Sequence, residues 1–192
     1  IHTDRIWNIN LRNSIAVTFK AAMEEFKKTD ALSFSYLKLV PSESDVLDPF
    51  FKPVVSQITK MLSETQSLRS TSGTWKIPNA LRYGGTRFRE LFPPAISLPL
   101  LGFEYVDERV QVENDLLKRL GARPITILDY INVFKMHGDW FKKQPQDWKA
   151  QFFAQLSELD HPTLLKHGLA NTPCVPTVSG DLAIPSKINV FY

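Results

Sequence analysis

Two short segments of the chain match each other without gaps, and this internal repeat constrains the fold more than any other feature. Residues 72–81 (SGTWKIPNAL) align on residues 179–188 (SGDLAIPSKI). Both contain Ser-Gly, an apolar residue two positions after the glycine, Ile-Pro, a small polar residue, and a Leu or Ile two positions later. Ser-Gly favours a turn, and proline ends a strand. The pattern predicts a β-hairpin in each segment, followed by a helix that Asn79 or Ser186 caps.

The repeat also predicts how the chain is organised. Each copy follows a predicted helical stretch of similar length, so we expect two tandem helix-plus-hairpin modules, residues 1–100 and residues 101–192. The second module would then be incomplete at its C-terminus, as in a piece of a longer chain. The alternative is a chance similarity between two turn-rich segments.

Apolar residues at helical spacing dominate the rest of the sequence. Leu11, Ile15, Phe19, Ala22 and Phe26 recur every three or four residues, which predicts a helix over 8–29. Similar patterns predict a short helix over 31–40, helices over 48–64 (capped by Asp48), 107–120 (ending at Gly121) and 127–136 (capped by Thr126), a helix after Pro145, and a loop with short structured pieces over 80–98. The predicted fold is α+β and mostly helical, with short β-hairpins.

The positive charge of the chain is concentrated in its middle. Residues 65–100 contain five basic side chains and one acidic one, which accounts for more than the whole net charge of +3. Arg82, Arg87 and Arg89 lie there together with Tyr83. Basic side chains that alternate with aromatic ones are typical of proteins that bind nucleic acid through phosphate contacts and base stacking. The ordinary interpretation, a solvated loop, is favoured because four net charges over 36 residues give a weak field.

Motifs for enzymatic chemistry are not found in the sequence. It has no phosphate loop, no dinucleotide fingerprint, no HExxH and no GxSxG. His161, His167 and Cys174 are clustered, but their spacing fits no zinc site, and we expect Cys174 to be a small buried hydrophobe. We therefore predict no catalytic residue, no metal and no cofactor.

The expected location is inside the cell, in the cytoplasm or the nucleus. A lone cysteine cannot form an internal disulfide, and the sequence has no Asn-x-Ser/Thr glycosylation site. No window approaches the roughly 18 apolar residues that a membrane span requires, so a membrane partner is not expected.

Several segments resemble one family of large proteins. They are residues 7–15 (WNINLRNSI) with the apolar positions that follow, residues 32–41, the Ser-Gly-x-Trp-x-x-Pro hairpin, and residues 116–122 (LLKRLGA) with 125–134. Together they resemble a segment of the sacsin-like and No-vein-like proteins, especially those of fungi. In that family a Hsp90-type (GHKL) ATPase domain precedes repeated segments of this kind.

The resemblance implies a role without catalysis. The ATP-binding motifs of the family, an acidic-Asn helix and Asp-x-Gly-x-Gly, are missing from this sequence. What the resemblance implies is a protein-interaction or scaffold region of a larger chaperone-like ATPase protein. Its partners would be other domains of the same chain or protein clients. The alternative hypothesis is a nucleic-acid-binding module that uses the basic block.

Overall fold

The computed structural model describes residues 2–29, 35–40, 49, 51–110, 112–158, 168–177, 179 and 181–185. Within these ranges the chain forms seven α-helices, three 3-10 helices and seven strands of two or three residues. The α-helices are α1 (His2–Lys28), α2 (Phe51–Glu64), α3 (Thr86–Leu91), α4 (Pro94–Leu101), α5 (Asn114–Arg119), α6 (Ile127–Lys142) and α7 (Gln146–Ser157). The strands are β1 (Leu68–Arg69), β2 (Trp75–Lys76), β3 (Leu81–Tyr83), β4 (Glu104–Tyr105), β5 (Arg123–Pro124), β6 (Val175–Pro176) and β7 (Leu182–Ala183). The mostly helical α+β fold predicted from the sequence is confirmed.

The chain divides into two compact units, each built from two separate segments. Unit 1 contains residues 1–83 and 104–123, and unit 2 contains residues 84–103 and 124–192. Each unit contains one of the two matching segments, although the bounds of the units differ from those of the predicted modules, 1–100 and 101–192. The division into tandem modules stays a prediction.

Helices α1 and α2 both contribute side chains to the core of unit 1. Both predicted apolar stripes face this core. On α1, Met23 is fully buried, and Ile15, Phe19 and Phe26 pack against the buried cluster. On α2 the buried members of the stripe are Val54, Ile58 and Leu62. Burial of each large aliphatic side chain stabilises the fold by roughly 1.5–3 kcal/mol, which explains why the helical spacing alone predicts these two elements. The predicted cap, Asp48, lies outside the described residues.

Each matching segment supplies the second strand of an antiparallel hairpin, so the predicted hairpins are confirmed. Strand β1 pairs with β2, with Arg69 opposite Trp75, and β6 pairs with β7, with Pro176 opposite Leu182. The two matching segments are 107 positions apart in the sequence. Adding 107 to each residue number of the paired residues in the first hairpin gives the paired residues of the second. Gly73 adopts a φ of +83° at the first turn, a conformation that favours glycine. The matching glycine at position 180 lies outside the described residues.

The likeness between the copies extends upstream of the matching segments. In the first copy the Ser67 hydroxyl donates to the Leu62 carbonyl oxygen at 2.6 Å. In the second, the thiol of Cys174 contacts the Leu169 carbonyl oxygen at 3.7 Å. The threonine two positions earlier in each copy donates to the carbonyl oxygen four positions back, at 2.9 Å from Thr65 and 2.8 Å from Thr172. The repeat therefore includes the turn that leads into each hairpin.

Trp75 and Leu182 occupy equivalent positions, and both side chains are half-buried. One detail of the hairpin prediction needs correction. Asn79 does not cap an α-helix, because residues Pro78–Ala80 form a short 3-10 helix that leads directly into β3. The other predicted cap, Ser186, lies outside the described residues.

Residues 80–98 are more ordered than the prediction of a loop. They contain β3, α3 and most of α4. Glycine and proline here mark the ends of elements: Gly85, at a φ of +64°, precedes α3, and Pro94 is the first residue of α4, a position where proline loses no helical hydrogen bond. The predicted short structured pieces are present, but they make up more of this segment than its glycine and proline content indicated.

The helix predicted from residue 107 begins only at Asn114. The Asp107 carboxylate instead accepts hydrogen bonds from the backbone and the guanidinium of Arg109, at 2.8–3.1 Å. Such a local side-chain contact competes with helix formation. Gly121 follows α5 at a φ of +94°, as predicted.

An aromatic cluster forms the core of unit 2, where α3, α6 and α7 pack together. Ring centroids of neighbouring members lie 4.6–6.1 Å apart. The rings in these contacts are those of Phe88, Phe92, Phe134, Phe141, Trp148 and Phe152. Helix α6 begins with the predicted cap, Thr126, in a reciprocal capping box with Asp129. It extends six residues beyond the predicted end, to Lys142, with a break at His137.

Candidate interaction site

The predicted nucleic-acid residues belong to different elements. Arg82 and Tyr83 lie on β3 of unit 1, whereas Arg87 and Arg89 lie on α3 of unit 2. Tyr83 is 7% exposed and belongs to the core of unit 1, which leaves little of its ring for stacking on a base. Burial is also the main reason why the pKa of its hydroxyl is raised.

Several basic side chains of the block bind groups of the protein itself. Arg87 forms an exposed ion pair with Glu158, and the Arg89 guanidinium donates to the Gly84 carbonyl oxygen at 3.0 Å. In unit 1 the Lys76 ammonium lies 2.9 Å from the Glu104 carboxylate. The two ion pairs reduce the positive field on which the nucleic-acid hypothesis depends.

Cys174 is buried, as predicted. Burial raises the pKa of its thiol, which keeps the side chain in the poorly nucleophilic protonated form. The other members of the predicted cluster, His161 and His167, lie outside the described residues. In the part of the chain that the structure describes, no group of three or more His, Cys, Asp and Glu side chains could hold a metal ion. No helix in that part is long and apolar enough to cross a membrane.

A buried carboxylate holds the first hairpin in place. Glu104 of β4 is 4% exposed, accepts a hydrogen bond from the Ser72 hydroxyl and forms the ion pair with Lys76. The Ser70 hydroxyl lies 2.8 Å from that of Ser72 and 3.0 Å from that of Thr74. Polar partners surround the carboxylate, so the charge is compensated despite its burial.

Sequence reasoning missed Glu104. It is the single charged residue in the otherwise apolar run 100–106 (LLGFEYV). A lone charge in such a run is costly to bury unless it has a polar or charged partner. This pattern could therefore have identified Glu104 as a side chain with bonded partners.

The described cavity of unit 2 is a cleft beside the break in helix α6, which we call the α6 cleft. Its volume is about 500 Å³. It is lined by residues 134–140 and 142 of α6, together with Pro173 and Leu182. The break is centred on His137, whose φ of −132° and ψ of 29° are not helical. Glycine at position 138 lowers the helical preference at this point, a common feature of helix breaks.

The α6 cleft combines apolar side chains with charged ones. Met136 is 72% exposed, the highest value among the large hydrophobic residues described. Methionine is flexible and polarisable, and it is frequent at surfaces that bind varied protein segments. Lys142 lies 3.5 Å from Asp181 and 3.8 Å from Asp139, so its ammonium links α6 to the second hairpin. An apolar surface with a charged margin can bind a short protein segment.

Comparison of the chain with protein-family models, with curated proteins and with solved structures finds no match in any of the three. The resemblance to sacsin-like and No-vein-like proteins therefore rests on the sequence pattern alone.

Proposed function

We propose that the chain serves as a non-catalytic protein-interaction and scaffold region. Unit 2 binds partner proteins through the α6 cleft. The observation that carries the proposal is the exposure of Met136 in a concave surface that also contains Trp140, Pro173 and Leu182. Burial of a methionine side chain is worth roughly 1.5–3 kcal/mol, which corresponds to about one to two orders of magnitude in affinity.

The wider setting belongs to the same proposal. The resemblance described above supports a place beside a Hsp90-type ATPase domain in a larger chaperone-like protein, inside the cell. The bound partners would be other domains of that protein or protein clients. On this proposal the region itself neither binds nor hydrolyses ATP.

Selection from a random peptide library on the intact chain tests the binding proposal. Peptides that carry an aromatic or aliphatic anchor should be enriched, and their affinity should fall at least tenfold for Met136→Gln. Leu128→Gln is the matched control, because Leu128 is an exposed residue of the same helix that does not line the α6 cleft. The proposal fails if no peptide is enriched, or if both variants weaken binding equally.

Calorimetry tests the non-catalytic part. We expect no saturable heat on titration with ATP and magnesium. Saturable binding of ATP that a single point substitution abolishes would overturn this part of the proposal. It would not affect the proposal that the α6 cleft binds protein partners.

A further inference from the structure

The outer edge of β1 in the first hairpin is covered by an extended segment of the same unit, residues 104–107. The Thr71 N–H donates to the Tyr105 carbonyl oxygen at 3.0 Å, and the Asp107 N–H donates to the Arg69 carbonyl oxygen at 2.9 Å. An antiparallel bridge centred on Ser70 lies between these two bonds. As a result Ser70 is 0% exposed.

One side chain of this segment recognises the hairpin specifically. The Glu104 carboxylate accepts from Ser72, one member of a hydroxyl pair whose oxygens lie 2.8 Å apart, and lies 2.9 Å from the Lys76 ammonium. In the first copy, therefore, the covered hairpin edge forms two backbone hydrogen bonds with the covering segment. One carboxylate of that segment binds a hydroxyl group and an ammonium group of the hairpin.

The second hairpin repeats the hydroxyl pair, and the part of the chain that the structure describes contains no strand on the outer side of β6. The Thr177 and Ser179 hydroxyl oxygens lie 2.8 Å apart, like their counterparts in the first copy. Strands β6 and β7 form a sheet of two. Thr177 is half-buried where Ser70 is fully buried, and Pro176 is exposed.

The charge around the second hairpin differs from that around the first. Three replacements each make the second copy one unit more negative: Arg69 by Pro176, Thr74 by Asp181, and Lys76 by Ala183. The Asp181 side chain is 70% exposed even though Lys142 lies 3.5 Å away. A segment with a glutamate like Glu104 would meet Ala183 in the place of Lys76, and a carboxylate, that of Asp181, in the place of the Thr74 hydroxyl.

We propose that the outer edge of β6 accepts an extended segment of a partner protein as an added strand, and that this segment carries a lysine or arginine where residues 104–107 carry Glu104. Strand addition to an open sheet edge is a common mode of peptide binding. Proline at position 176 is compatible with it, because the counterpart, Arg69, bonds to its covering segment through its carbonyl oxygen. The inference shares with the proposed function the need for a protein partner, and it uses the outer edge of β6, which does not line the α6 cleft.

Three synthetic peptides test this inference on the intact chain. The basic peptide Gly-Phe-Lys-Tyr-Val-Asp copies residues 102–107 with lysine in place of Glu104, and the acidic peptide keeps the glutamate. The third, Gly-Phe-Lys-Tyr-Val-Pro, lacks the N–H that corresponds to that of Asp107. In fluorescence anisotropy we expect the basic peptide to bind at least fivefold tighter than either of the others. In NMR spectra of the labelled chain its addition should shift the amide signals of Thr177 and Ala183.

A double variant and a cleft variant complete the test. Asp181→Thr combined with Ala183→Lys recreates the side chains of the first hairpin and should reverse the preference in favour of the acidic peptide. Met136→Gln should leave binding of the basic peptide unchanged. The inference is overturned if no peptide binds, if the proline peptide binds as tightly as the basic one, or if the double variant keeps the original preference. A loss of binding in Met136→Gln would place the peptide in the α6 cleft and would overturn the strand inference without harming the proposed function.

Discussion

Replacement of Glu104 by glutamine should destabilise unit 1, because it removes a buried charge that three side chains compensate. Glutamine keeps one acceptor oxygen for Ser72 but loses the attraction to Lys76. Hydrogen bonds to charged groups are worth about 1.5–3 kcal/mol each, and this range sets the expected loss in free energy of unfolding at neutral pH. Lys76 is 37% exposed, so water solvates the ammonium that remains and keeps the loss below the roughly 3–5 kcal/mol of a fully buried broken pair.

The loss should depend on pH in a defined direction. Burial raises the pKa of Glu104, but hydrogen bonds from Ser70, Ser72 and Lys76 and the charge of Lys76 outweigh burial, so the pKa in the folded chain lies below the usual 4.5. The ionised carboxylate therefore contributes its stability above the pKa of the unfolded chain, and this contribution disappears as the pH falls through the pKa of the folded chain. The difference between wild type and Glu104→Gln should be full at pH 7 and should shrink steadily below about pH 4.5.

Urea unfolding at pH 7 and at a series of acidic pH values measures this difference, and hydrogen exchange of the Asp107 amide reports it locally. Glu64→Gln is the control, because Glu64 is an exposed member of a 4.0 Å pair with Lys60 and should change stability by less than about 0.5 kcal/mol. Equal stabilities of the two variants at pH 7 would refute the reasoning. A difference that persists unchanged in strong acid would refute the assignment to the ionised form.

Three further predictions follow from positions described above. Trp75→Ala should lower the free energy of unfolding by about 2–3 kcal/mol in urea titrations, less than for a fully buried indole, because its ring is half-buried. Gly85→Ala should lower the melting temperature more than Gly84→Ala: both glycines have positive φ, but only at Gly85 would the new Cβ lie 2.6 Å from the Ile125 Cβ. Salt titrations should show nucleic-acid binding no tighter than roughly 100 μM at physiological salt; tighter binding, with a salt slope that Arg82→Ala, Arg87→Ala and Arg89→Ala together reduce by about three units, would favour the alternative hypothesis.

The elements that the sequence predicted correctly depend on contacts close together in the chain. The stripes of α1 and α2 follow from helical spacing, and the first hairpin turn follows from the local preference of Gly73 for a positive φ. The errors have two causes: a side-chain contact that competes with the expected element, and turn-forming residues that stand at the ends of elements. Asp107 bonds Arg109 in place of starting a helix, and the glycines and prolines of residues 80–98 mark helix ends that are indistinguishable from loop residues by composition.

The candidate sites were harder to predict because they depend on groups that are distant in the sequence. Glu104 meets Ser72 across 32 positions, and its burial follows from the pairing of residues 104–107 with the first hairpin. The α6 cleft requires both the break at His137 and the approach of Leu182 from the second hairpin. The periodicity of apolar residues predicts neither the break in the helix nor the approach of Leu182. In the sequence, only the lone charge in the run 100–106 indicated that Glu104 is a bonded side chain.

The two copies of the repeat differ at a residue through which the first copy bonds outside its own hairpin. One interaction within a copy persists with a chemical substitute: the hydroxyl of Ser67 is replaced by the thiol of Cys174 on the equivalent carbonyl oxygen. Lys76 bonds outside its hairpin, to Glu104, and its counterpart is Ala183. A contact to a group outside the hairpin is needed only where that group is present. The turn and hairpin thus serve as a common framework, and what distinguishes the copies is the outer strand that each hairpin can accept.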